Sequence, residues 1–98
     1  MKRQQVLEIL AANRDKVKTF AVESLAIFGS VARDEATDAS DIDVLVEFEK
    51  GKPVGLFEFV RLQRFLSGIL GCRVDLVTRE ALRGEMRQQI LQEAIRAA

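Results

Sequence analysis

The segment Asp41–Phe48 alternates between two kinds of side chain, and this alternation limits the possible folds more than any other feature of the sequence. One set is apolar and consists of Ile42, Val44, Val46 and Phe48. The other set consists of Asp41, Asp43, Leu45 and Glu47. Because successive side chains of a β-strand point to opposite faces, the pattern predicts a strand that buries its apolar set and carries two aspartates on its other face.

The remaining elements follow from other apolar patterns. Short apolar runs over residues 25–28 and 73–77 predict two further strands. Apolar residues at three- and four-residue spacing predict helices over residues 3–20 and 56–70, the second ended by Gly71. A final amphipathic helix is predicted from an apolar side formed by Met86, Ile90, Leu91, Ala94 and Ile95. The order α-β-β-α-β-α predicts a small α/β (α+β) fold, with helices covering a short mixed sheet of about three to four strands.

The segments between these elements carry turn-forming residues. Val31–Ala39 is polar and small, which is typical of a loop or of one helical turn. Gly51 and Pro53 end the central strand, and a proline suits the first turn of the following helix. Thr78 can cap a short helical turn that ends at Leu82.

Length and composition bound the class of protein. The 98 residues are 48% hydrophobic and 31% charged, which predicts one globular domain over residues 1–98. Lys and Arg together number 15, as do Asp and Glu, so the net charge is zero. A nucleic-acid-binding domain is normally basic, and we therefore expect no direct binding to nucleic acid. No apolar run reaches the length of a signal peptide or membrane span, so a cytoplasmic protein is expected.

The residue types that are absent limit the chemistry. The chain has no histidine, and Cys72 is its only cysteine. An internal disulfide and a cysteine-rich zinc site are therefore excluded. Catalysis must depend on carboxylates, hydroxyls and cations that prefer oxygen ligands.

Three carboxylates are candidates for a cation site. Asp41 and Asp43 leave the same strand face about 7 Å apart, where they could bind one ion or bridge two. Mg²⁺ suits such a site because it takes oxygen ligands and retains water or phosphate. Asp75 lies within the apolar run of the third strand, where a charge needs partners. A solvated strand end for the pair, and an edge-strand position facing water for Asp75, are the alternatives.

Gly29 and Ser30 follow the first strand and could form a phosphate site. Backbone N–H groups at a strand-to-helix turn, with a hydroxyl beside them, can bind an anion. Arg33 lies one turn further on and could reach a phosphate, or could instead pair with Asp34 or Asp38 on the surface. By itself, Gly-Ser is also compatible with an ordinary turn.

The combination of these motifs resembles the polymerase-β-like nucleotidyltransferase superfamily. Phe28-Gly29-Ser30, then Asp41-Ile42-Asp43, then Asp75 on a later strand is the pattern that carries the resemblance. The stretches from Gly29 to Arg33 and from Ser40 to Asp43 are more closely similar to the minimal nucleotidyltransferase (MNT) antitoxins of prokaryotes. Many relatives have glycine where this chain has Asp34, which argues against an unusual backbone angle there.

The resemblance implies a function and a partner. It implies that Asp41, Asp43 and Asp75 bind two Mg²⁺ ions, and that Gly29, Ser30 and Arg33 contact the phosphates of ATP. It further implies transfer of AMP to a hydroxyl, that of a tyrosine, on a HEPN-type ribonuclease toxin in a hetero-oligomer. The alternatives are an antitoxin that neutralises by binding alone, and an enzyme that modifies a small molecule or a nucleic-acid end.

Overall fold

A four-stranded mixed sheet forms the centre of the computed structural model, which describes residues 1–98. Its strands are β1 (Val22–Phe28), β2 (Ile42–Phe48), β3 (Val74–Thr78) and β4 (Ile95–Arg96). They lie side by side in the order β3-β2-β1-β4. β2 pairs antiparallel with β1 and parallel with β3, whereas β4 pairs antiparallel with β1. The predicted α+β class and mixed sheet are confirmed.

Helices cover both faces of this sheet. They are α1 (Arg3–Ala12), α2 (Arg14–Lys18), α3 (Gly29–Ala32), α4 (Leu56–Leu70) and α5 (Gly84–Glu93). Buried side chains of α1, α2 and α4 join the larger core on one face, and α5 packs on the other face. A 3₁₀ turn over Arg79–Ala81 confirms the helical turn expected after β3, although the Thr78 side chain does not cap it. None of the helices combines the length and the apolar character needed to cross a bilayer.

The alternation of β2 places its two faces in different surroundings, as predicted. The side chains that enter the larger core are Ile42, Val44 and Val46. On the other face, Leu45 packs with Phe28 and Ile90 in a second, smaller cluster. Burial of such a side chain stabilises the fold by roughly 1.5–3 kcal/mol. This burial determines which face of β2 points into the core. It therefore also fixes the register of β2 with β1 and β3.

The first helix is shorter than predicted. The expected helix over residues 3–20 breaks at Asn13, whose side-chain Nδ2 donates to the carbonyl oxygen of Ile9 at 2.8 Å. Such a bond offers the backbone an alternative to the regular helix. Ala21 then adopts a positive φ of 61°, and β1 begins at Val22, three residues earlier than predicted.

The end of the chain also differs from the prediction. Ala94 and Ile95 do not continue the last helix, because α5 ends at Glu93 and Ile95 pairs with Ile27 in β1. Met86 is 67% exposed and does not belong to a buried face. A strand of two residues has no periodicity of its own, so only its partner strand reveals it.

Helix α4 has the predicted bounds, and Gly71 ends it in the left-handed conformation with φ 69°. Pro53 lies before the helix, so the expectation that it belongs to the first turn is wrong. Leu56 and Phe57 in its first turn are 78% and 83% exposed, however. These two apolar residues of the first turn therefore lie outside the core. Apolar residues lie around several sides of this first turn, whereas only one side can face the sheet.

The expectation of an ordinary backbone angle at Asp34 is wrong. Asp34 has φ 60°, in the left-handed region, which aspartate tolerates better than most residues. Its Oδ1 also accepts the N–H of Arg3 at 3.1 Å, at the start of α1. The side chain thus supplies a contact that glycine could not make, while the backbone keeps an angle that suits glycine.

Candidate active site

The sheet brings the candidate carboxylates to one end of two neighbouring strands. Asp43 of β2 and Asp75 of β3 are register partners, so their side chains lie next to each other. Asp41 comes one residue before β2 begins. On the other side of β2, Asp43 lies opposite Phe28, the last residue of β1. The turn at Gly29 therefore begins beside Asp43, and the two predicted motifs meet in space.

Gly29 and Asp43 approach each other so closely that no side chain fits between them. A Cβ atom on Gly29 would collide with Asp43 Oδ2 and would lie 3.1 Å from its Cγ. Gly29 also has φ +70°, a backbone angle that side chains disfavour. Glycine is thus required here by both the backbone and the neighbouring carboxylate.

The surroundings of Asp43 raise the pKa of its carboxyl to about 6. Burial is the largest cause, because it disfavours the charged form. The charge of Asp75, a hydrogen bond with Asp75, and the charge of Asp41 act in the same direction, whereas Arg33 lowers the pKa. The site therefore concentrates negative charge that the protein itself neutralises only in part.

Asp75 is exposed, because β3 is an edge strand of the sheet. It occupies the edge-strand position that the sequence left open as the alternative, because Val74 and Leu76 point into the core and Asp75 points away from it. Its carboxylate opens onto a polar recess of about 190 Å³, lined by Asp41, Gln63, Ser67, Arg73, Val74 and Asp75. A larger recess of about 600 Å³ includes Phe48 and Leu56 but none of the three aspartates. The smaller recess is the one that contains the candidate metal-binding carboxylates Asp41 and Asp75.

The chemistry of these side chains fits Mg²⁺. Their donors are carboxylate oxygens, and a cation would relieve the repulsion that raises the pKa of Asp43. The structure contains no group of three Asp, Glu, His or Cys side chains already converged on one point. The charges of Asp75 and Asp41 help to raise the pKa of Asp43, and a cation bound between these carboxylates would favour its ionised form.

Arg33 has partners that differ from those expected. It contacts neither Asp34 nor Asp38; its guanidinium binds Glu35 at 3.2 Å and Glu93 at 3.0 Å. The hydrogen bond with Glu93 is the main reason that the pKa of Arg33 is raised further above its usual range.

Sequence reasoning missed Glu93. Its Oε1 accepts the N–H of Gly29 at 2.9 Å, so a carboxylate from α5 contacts the candidate phosphate turn. One signal was available in the sequence. An acidic residue at the C-terminal end of a helix opposes the helix dipole, and Glu93 lies three positions after the buried Ile90.

Comparison with known proteins agrees with this arrangement. The model of the nucleotidyltransferase domain family matches residues 6–97. The chain belongs to this family. A relative called protein adenylyltransferase MntA, from Thermococcus cleftensis, is 34% identical over 93 residues, which is 94% of this chain and 92% of the relative. The assignment as an enzyme of the nucleotidyltransferase class is therefore confirmed.

Solved structures of family members share the fold. One that is provisionally assigned as a minimal nucleotidyltransferase is 41% identical, has a TM-score of 0.73, and is matched over 97% of this chain and 95% of its own. The resemblance to the MNT group is thus confirmed. A toxin–antitoxin structure with AMP-PNP, at 20% identity, has a TM-score of 0.69 and is matched over 100% of this chain and 73% of its own. At that identity the likeness concerns the fold alone.

Proposed function

We propose that this chain is an antitoxin that transfers AMP from ATP to a tyrosine hydroxyl of a HEPN-type ribonuclease toxin and thereby silences it. The observation that carries the proposal is the adjacency of Asp43, Asp75 and the Gly29 turn at one end of the sheet. The name of the Thermococcus relative supports protein adenylylation. A solved complex of a tri-AMPylated Shewanella oneidensis HEPN toxin with its MNT antitoxin, at 18% identity and a TM-score of 0.64, supports the partner.

The carboxylates would hold the metal. Asp41 and Asp43 would bind two Mg²⁺ ions, and Asp75 would bind the ion on the side of the attacking hydroxyl. Bound Mg²⁺ activates a hydroxyl and neutralises charge on a leaving pyrophosphate. Asp43 must lose its proton to take part, and its pKa of about 6 allows this near neutral pH.

The protein residues have distinct parts in the transfer. Ser30 and the N–H groups of the turn hold the phosphates, with Arg33 at the rim. The acceptor oxygen forms a bond to the α-phosphorus as the bond to the β-phosphate oxygen breaks, and pyrophosphate leaves. The hydroxyl proton passes to Asp75, which is exposed at the sheet edge where an acceptor can approach.

The polar recess gives the acceptor a route to the site. It opens beside Asp41 and Asp75, and Ser67 and Arg73 form part of its wall. A side chain with an exposed hydroxyl on a partner protein could enter from this side without displacing the core. This route favours a macromolecular acceptor, because much of the binding energy would come from surfaces outside so small a recess.

The test is mass spectrometry of the chain mixed with its neighbour-encoded toxin, ATP and Mg²⁺. We expect the toxin to gain the mass of AMP on a tyrosine, and we expect Asp41→Asn and Asp43→Asn to abolish the gain. Asp38→Asn is the matched control, because Asp38 is an exposed acid of the preceding loop. Neutralisation that persists in both site variants without any mass change would show that the antitoxin acts by binding alone. Modification of a small molecule instead of the toxin would contradict the proposed acceptor.

A further inference from the structure

Glu93 joins both ends of the short helix α3. One carboxylate oxygen, Oε1, accepts the Gly29 N–H at 2.9 Å, and the other, Oε2, accepts from the Arg33 guanidinium at 3.0 Å. Gly29 is the first residue of α3 and Arg33 is the residue that follows its end. The Glu93 side chain is 23% exposed, against 49% for that of Arg33. We call the three residues Gly29, Arg33 and Glu93 the clamp.

The clamp gives partners to two groups that would otherwise destabilise the fold, the Glu93 carboxylate and the Gly29 N–H. Glu93 is the last residue of α5, where a negative charge opposes the helix dipole. The Gly29 N–H begins a helical turn and has no helical acceptor. A carboxylate that binds an N–H and a guanidinium together forms two charge-assisted hydrogen bonds, which are shorter and stronger than neutral ones.

The clamp also fixes what a nucleotide can meet at the turn. Because Gly29 touches Asp43, a shift of Gly29 would move the carboxylate proposed to bind metal. Because Glu93 already binds the Gly29 N–H, the groups that remain for a phosphate are Ser30 and the N–H groups that follow. Arg33 neutralises Glu93, so an approaching triphosphate meets a paired charge instead of a free carboxylate.

We infer that Glu93 is a positioning residue for nucleotide binding, which holds the Gly29-Ser30 turn against Asp43 and fixes Arg33 at the rim of the phosphate site. The inference rests on the proposed function. The competing possibility is that the Glu93 carboxylate occupies the place of a phosphate and must leave when a nucleotide binds. The two possibilities predict opposite effects when Glu93 is changed.

The test compares Glu93→Gln and Glu93→Ala with wild type in the antitoxin–toxin pair. The positioning role predicts that KM for ATP and Kd for Mg²⁺-AMP-PNP rise about tenfold in Glu93→Ala, as expected for the loss of a charge-assisted bond. KM for the toxin should change less than twofold. Glu93→Gln should give a smaller rise, because its amide oxygen can still accept the Gly29 N–H. Glu85→Gln, an exposed carboxylate of the same helix, is the control.

Two further measurements distinguish positioning from a general loss of structure. The Gly29 amide signal in nuclear magnetic resonance spectra should move upfield in Glu93→Ala, and thermal unfolding should show that Glu93→Gln remains folded. Arg33→Ala combined with Glu93→Ala should have less than the summed effect on Kd, because both changes break one pair.

Each outcome has a defined meaning. Unchanged or tighter nucleotide binding in both Glu93 variants, with a wild type that binds nucleotide and modifies toxin, would overturn the positioning role alone. A wild type that neither binds Mg²⁺-AMP-PNP nor modifies toxin would overturn the proposed function itself.

Discussion

At the scale of single residues, the contact between Gly29 and Asp43 links the backbone to the chemistry. Sequence reasoning assigned Gly29 to a phosphate turn, for which glycine is a common but not a necessary choice. The structure adds a second requirement, because the Asp43 carboxylate occupies the space where a Cβ atom would lie. The two effects can be separated, since Gly51 has a similar φ of +79° and no neighbour within 4 Å.

We predict that Gly29→Ala is more damaging than Gly51→Ala. An alanine held in the left-handed backbone conformation lowers the free energy of unfolding by roughly 1–2 kcal/mol, and this is the whole effect expected at Gly51. The collision at Gly29 adds about 1–3 kcal/mol, as in overpacked cores. Displacement of Asp43 should reduce the transfer rate by about 100-fold. Urea unfolding and the adenylylation assay measure the two effects, and equal losses in the two variants would contradict the close contact.

The raised pKa of Asp43 predicts a dependence of stability on pH. In metal-free protein, the Asp43 carboxyl has a pKa of 3.8 in the unfolded chain, whereas its pKa in the folded chain is about 6. The folded state therefore binds more protons in this interval, and Asp43 makes the protein less stable as pH rises through it. Asp43→Asn should thus gain stability relative to wild type between these pH values, by on the order of 1 kcal/mol because the site is partly exposed to solvent.

Metal binding should show the reverse dependence. Because Mg²⁺ needs the ionised carboxylate, its affinity should rise with pH through about 6. Calorimetric titration with Mg²⁺-AMP-PNP below and above this pH, with Asp38→Asn as a control, measures the effect. An affinity that does not vary across the interval would exclude Asp43 as a ligand that must lose a proton.

At the scale of elements, helix α4 was predictable and the first and last helices were not. The bounds of α4 follow from a long amphipathic pattern and from Gly71, which are both local signals. The break at Asn13 and the strand Ile95–Arg96 depend on one side-chain bond and on a partner strand. Neither feature leaves a recognisable pattern in the sequence. The apolar spacing alone therefore predicted both helices to be longer than they are.

Two glycines of the α4 region provide a matched test of this local reasoning. Gly68 lies inside the helix, is exposed, and has nothing within 4 Å of its missing Cβ, whereas Gly71 ends the helix with φ +69°. Gly68→Ala should stabilise the protein by about 1 kcal/mol through helix propensity. Gly71→Ala should destabilise it by about 1–2 kcal/mol, because alanine disfavours the left-handed conformation. Thermal and urea unfolding measure both, and the same sign in the two variants would contradict the assigned helix end.

At the scale of the whole molecule, the site links β1, β2, β3 and α5, so a bound ligand should stabilise the entire fold. Mg²⁺-AMP-PNP at a free concentration of about 100 times its Kd should raise the free energy of unfolding by about 2.7 kcal/mol. For a protein of this size, that should raise Tm by on the order of 10 °C. Differential scanning fluorimetry measures the shift. Chelation of the metal and Asp41→Asn should each remove it, and a shift that survives both would place the nucleotide elsewhere.

Much of the candidate site was predictable from the sequence. The two-residue period of β2 places Asp43 on the face opposite the buried apolar set, and Asp41 lies one residue before the strand begins. The absence of histidine is also known from the sequence alone, and it restricts the chemistry to carboxylates, hydroxyls and hard cations.

Only the tertiary structure decided which groups surround these residues. Asp75 reaches the site because β3 pairs with β2 in one particular parallel register. Glu93 reaches it because α5 packs on the sheet face that carries Leu45 and Phe28. Strand pairing and helix packing join residues that are distant along the chain, and their energies depend on the whole core. A periodic pattern in one segment therefore determines which way a side chain points, whereas the fold determines what that side chain meets.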